Sequence, residues 1–113
     1  MYKPNGFHEK DWKTVESEYE KMRNLAHRIK AQIVLIHIPQ CPPWNDSAAY
    51  PGQRLAQWCA NHDVAFVDTL PALKGAAKDT VLYWKKDGHC TAEGYKVIAE
   101  TVYSALLEKG FVP

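Results

Sequence analysis

The sequence predicts an α/β domain on a short parallel sheet, and three observations predict it. "QIVLIHIP" at 32–39 and "VAFVD" at 64–68 are near-continuous apolar runs rich in β-branched residues, as in strands covered on both faces. Helical periodicity precedes the first run, separates the two and closes the chain. A strand–helix–strand order in one sheet calls for a right-handed crossover, which leaves the strands parallel.

The elements follow in order. From about His8 to Ala31, Trp12, Val15, Tyr19, Met22, Leu25 or Ala26, and Ile29 recur at steps of three and four, so they form the core-facing stripe of a first helix. Lys13, Glu16, Glu20, Lys21 and Arg28 fill its other faces. Pro39 ends the first strand, and the stretch from Pro39 to Pro51 reads as a loop. A second helix starts at Pro51, a residue favoured in the first turn. It carries Leu55, Trp58 and Cys59 inward and ends near Asn61 or His62. After the second strand, a loop with Pro71 and Gly75 leads to "TVLYW" at 80–84, a short extended piece or a turn. In the last helix Thr91 is the N-cap, Val97/Ile98, Thr101/Val102 and Ala105/Leu106 repeat every four residues, and Gly110 is the stop.

Composition narrows the function classes. A chain of 113 residues makes one domain, 1–113, without repeats or linkers. A net charge of +1, with 14 basic residues spread along the chain, argues against a nucleic-acid surface. No run is apolar enough for a membrane span, and Met1 to Gly6 show no leader character. Cys41, Cys59 and Cys90 are odd in number and lack C-x-x-C spacing, which reads as reduced thiols in a cytoplasmic protein. His37 with Cys41, or His89 with Cys90, gives no full metal-ligand set, so neither a metal nor a cofactor is expected.

"KKDGHCTAEGY" at 85–95 carries the candidate chemistry. Histidine is the side chain suited to taking and returning a proton at working pH, so His89 is the candidate base, provided a carboxylate fixes its tautomer. Asp87, two residues away across the flexible Gly88, is placed to do this. The same letters also describe a plain turn before the Thr91 cap. In a parallel sheet, ligands gather where loops leave the carboxyl ends of the strands. The 39–51 loop and the segment after Asp68 leave from that edge, and the Asp87–His89 segment is expected beside them.

The string "DGHCTAEGYKVIAETV" at 87–102 resembles the last block of the SGNH (GDSL-like) hydrolases, where an Asp and a His precede a helix. "IVLIHIP" at 33–39 resembles that family's fourth strand, and "LAQWCANHDVAFVDTLPAL" at 55–73 its next helix and fifth strand. "VLYWKKDGH" at 81–89 resembles the approach to the catalytic block, so the likeness runs from about Trp12 to Phe111. It implies a partial flavodoxin-like three-layer α/β/α fold. It also implies hydrolysis of an ester or thioester, with His89 as general base and Asp87 as its orienting acid. Asp68 is the reserve acid, beside its reading as a structural cap.

The family's Gly-Asp-Ser nucleophile block and its Gly-x-Asn-Asp block have no counterpart in these residues. Of the three serines, Ser17 and Ser104 fall in helices, which leaves Ser47, and also Cys41, as loop substitutes. The reading is therefore a C-terminal segment carrying acid and base without a nucleophile, and inactive alone. Its rivals are a non-catalytic α/β interaction module and a standalone hydrolase using Ser47 or Cys41. Without the family's first three strands, the Gln32–Ile38 edge is left free, so a homodimer or a partner chain is expected there.

Overall fold

In the computed structural model, which describes residues 8–113, α1 (Glu9–Arg28), β1 (Val34–His37), α2 (Tyr50–His62), β2 (Ala65–Asp68), α3 (Leu70–Ala76) and α4 (Ala92–Glu108) follow in order. Residues 1–7 lie outside the described residues, and with them the expectation made for Met1 to Gly6. β1 and β2 pair in parallel, with Val34 opposite Ala65 and His37 opposite Asp68. The chain is thus mixed α/β around a two-stranded parallel sheet.

Registered residues in a parallel pair share a face. Leu35 and Phe66 point to the side covered by α2, where they pack with Ile33 and Tyr19 around buried Trp58, Cys59 and Val64. Burial pushes the Cys59 thiol up to about 11, so it stays an uncharged core group at neutral pH. A second cluster joins Leu73, Leu82 and Tyr83 to Val97 and Ile98 of α4.

An ionic tie fixes α1 to α2. The Arg54 guanidinium donates to Glu16 at 2.7 Å and to both Glu9 carboxylate oxygens at 2.8 Å. These bonds hold Arg54 firmly protonated. At the other end of α2, Arg23 Nε donates to the His62 carbonyl at 2.8 Å.

Several expectations change. The first half of the α1 stripe packs inward, with Trp12 buried and Tyr19 against Trp58, but Met22, Leu25 and Ile29 are exposed. The reason is length: a 20-residue helix runs about 30 Å, whereas a four-residue strand covers about 13 Å. The Pro71–Gly75 stretch is helical, not a loop. Pro71 sits in the first turn, where its missing N–H costs nothing, so it starts α3 instead of breaking it. The 80–84 segment, expected as a short extended piece or a turn, makes a single antiparallel bridge, Tyr83 to Cys90.

The last helix starts as expected. Thr91 Oγ1 accepts from Gly94 N at 3.2 Å. A Cβ at Gly94 would collide with the Leu82 carbonyl oxygen, so this position requires glycine for close approach. At Gly75, in α3, an added Cβ meets nothing within 4 Å. Gly94→Ala is therefore expected to lower stability by about 2 kcal/mol, as overpacking against rigid backbone does. Gly75→Ala is expected to hold or raise it by up to about 1 kcal/mol. Urea denaturation of both variants checks the contrast.

Candidate functional site

The carboxyl ends of β1 and β2 meet in a small polar knot. His37 Nδ1 lies 2.9 Å from Asp68 Oδ1. The same carboxylate oxygen accepts from Leu70 N at 3.0 Å, where the chain turns into α3. The His37 carbonyl accepts from Thr69 N at 3.1 Å and from Thr69 Oγ1 at 2.7 Å. A carboxylate only accepts, so the shared proton sits on Nδ1, and in the neutral imidazole Nε2 is then the acceptor. The His37 residue is 7% exposed.

Helix α2 closes over this pair through Gly52, whose lack of a side chain permits the contact. A Cβ there would stand 2.6 Å from Asp68 Oδ2 and 2.8 Å from His37 Nδ1.

Above the knot lies a cavity of about 280 Å³ between the end of β1 and the loop that follows it. His37, Cys41, Trp44, Asn45, Ser47 and Pro51 line it. Trp44 is pinned by donating Nε1–H to the Gln40 carbonyl at 2.7 Å and by edge contact with Tyr83, 5.7 Å between ring centres. Tyr50 packs against Trp12. Ser47 lies in a short 3₁₀ turn, Asp46–Ala49, and its hydroxyl is committed to Asn45 Oδ1 at 2.6 Å.

Asp87 and His89 lie on the turn between Tyr83 and Cys90. Asp87 Oδ1 accepts from His89 N at 2.9 Å, while His89 Nδ1 stands 3.6 Å from that oxygen, beyond hydrogen-bond length. The His89 side chain is 76% exposed and that of Asp87 62%. In this arrangement Asp87 shapes the turn through the His89 backbone, and the imidazole makes no hydrogen bond to it.

The turn nonetheless borders the loop leaving β1. Tyr83 donates its hydroxyl to the Pro39 carbonyl at 2.9 Å, and a Cβ at Gly88 would lie 3.4 Å from Cys41 Sγ. Burial first, then the Cys90 thiol beside it, pushes the Tyr83 hydroxyl up from its ordinary value. Gly88 has φ 74°, a left-handed backbone that glycine adopts freely. Cys41, Cys59 and Cys90 are all free.

The site residues thus fall into two sets. Asp87 and His89 are on an exposed turn beside Cys41, while Asp68 pairs with His37, 31 positions earlier in the chain. The sequence weighed His37 only with Cys41 as a metal ligand and gave no pairing of it with Asp68. The available signal was that each apolar strand ends in a polar residue, "VLIH" and "AFVD", which parallel pairing then sets side by side.

Among the described residues, no group of three or more His, Cys, Asp or Glu is placed to hold a metal ion. No helix there is long and apolar enough to cross a membrane. Comparison with protein-family models, with curated proteins and with solved structures gave no match.

Gly52→Ala forces Asp68 or His37 to move, and a loss of about 1–3 kcal/mol is expected. Thermal unfolding checks this, with Gly75→Ala as the neutral reference.

Proposed function

We propose that this chain is the acid–base portion of an SGNH-like ester or thioester hydrolase, corresponding to the C-terminal part of a flavodoxin-like three-layer α/β/α fold. His89 is the proton-transfer group and Asp87 its carboxylate partner. The observation that carries the reading is the meeting of the Asp87–His89 turn with the loop leaving β1, through Gly88 and Cys41. Parallel α/β sheets hold their ligands at this end. At 3.6 Å the pair needs only a small rotation of an exposed ring to form its bond, the tightening a bound substrate brings.

These residues contain no Gly-Asp-Ser block, so the nucleophile comes from another polypeptide segment or from the loop itself. Of the loop candidates, Cys41 is favoured over Ser47. The Ser47 hydroxyl is already used at Asn45, whereas Cys41 is exposed and lies against the turn between Asp87 and His89. A thiol is also the better nucleophile near neutral pH.

Hydrolysis of p-nitrophenyl acetate and a short acyl thioester tests the reading. His89→Ala is expected to lower the rate by about 10²-fold or more, and Cys41→Ala to do the same if the thiol attacks. A folded wild type without any activity would instead favour a non-catalytic interaction module.

The same proposal includes an assembly. The outer edge of β1 is unpaired among the described residues, and Ile36 and Ile38 are 40% and 52% exposed. Strand edges of this kind pair with other chains. Size-exclusion chromatography with light scattering is expected to show a homodimer or association with a partner chain, and a stable dilute monomer would contradict it.

A further inference from the structure

His37 is the one histidine here that is buried, held by a carboxylate and open to a cavity at once. Its Nδ1 is taken by Asp68, and its Nε2 has no partner among the described residues. The residue nevertheless lines the 280 Å³ cavity with Cys41, Trp44 and Ser47. A strand-to-strand brace needs only the Nδ1 bond. It does not need a second nitrogen left without a partner in a residue that borders a cavity.

Asp68 is itself fixed by Leu70 N, so the order runs from backbone to carboxylate to imidazole to cavity. That chain of orientation is what a general base requires: a fixed tautomer, and a carboxylate that stabilises the imidazolium as it forms. The pair is tighter and more buried than Asp87 with His89, at 2.9 Å against 3.6 Å.

We propose that His37, oriented by Asp68, is a proton-transfer residue at the floor of this cavity, activating water toward a small ester. The ester class rests on the hydrolase reading above, but the residue and the cavity do not. Water in the cavity gives its proton to Nε2 as its oxygen bonds to the ester carbonyl carbon. The tetrahedral adduct then breaks its bond to the alcohol oxygen, which takes the proton back from Nε2. Acid and alcohol leave, and His37 returns to its starting state. No protein nucleophile is consumed, so the step is open to a chain without the Gly-Asp-Ser block.

Diethyl pyrocarbonate tests the geometry without relying on activity, because it acylates only an unprotonated, reachable imidazole nitrogen. Full-length wild type is treated at neutral pH and mapped by mass spectrometry, with exposed His27 and His89 as internal standards. His37 is expected to be modified although it is 7% exposed, and Asp68→Asn is expected to slow that modification about tenfold while His89 is unchanged. An unmodified His37 beside modified His27 and His89 would overturn the proposal.

The second measurement is p-nitrophenyl acetate hydrolysis by folded His37→Gln. A fall of about tenfold or more is expected. An unchanged rate, or a wild type no faster than buffer, would also overturn it. Loss with His37→Gln but not with His89→Ala removes His89 alone, and the reverse pattern removes His37 alone.

Discussion

Two oxygen acceptors organise the carboxyl end of the sheet. The His37 carbonyl takes the Thr69 amide and hydroxyl, and one Asp68 carboxylate oxygen takes the His37 ring and the Leu70 amide. Three of these hydrogen bonds tie His37, the last residue of β1, to Asp68 and Thr69, and the fourth, from Leu70 N to Asp68, turns the chain into α3. Thr69 is fully buried, so its groups have no water to fall back on, and leaving such donors unpaired costs about 1–3 kcal/mol each. With only two strands of four residues each, the sheet relies on this knot more than a wide sheet would.

The knot also sets what the site offers. It fixes the His37 imidazole beside the loop, and the packing of Tyr83 and Trp44 brings the exposed His89 imidazole to the loop's edge. For the proton transfers proposed above, a fixed ring and an exposed one suit different steps. Fixed orientation favours activating a bound water, whereas an exposed ring is able to follow a substrate as it enters and leaves.

Much of the fold was legible because local signals agreed. The Thr91 cap, the four-residue repeat through α4 and the inward Leu55, Trp58 and Cys59 all stand where their periodicity places them. What misled was punctuation and length. Pro71 reads as a breaker unless its place in a first turn is known. Met22, Leu25 and Ile29 carry the right spacing, yet a helix longer than its sheet leaves its far end uncovered. In the site, the Asp87–His89 spacing is local and visible in the string, but the 3.6 Å gap is not. The His37–Asp68 pair was illegible for the opposite reason, since it exists only through strand register across 31 positions.

The account stands on the direction of one proton. Long-range proton–nitrogen NMR of the histidine rings at neutral pH reads it directly. The prediction is a His37 ring with its proton on Nδ1 and a bare Nε2, a pattern lost in Asp68→Asn. A His37 ring protonated on Nε2, or one averaging between both nitrogens as an exposed ring does, would contradict it.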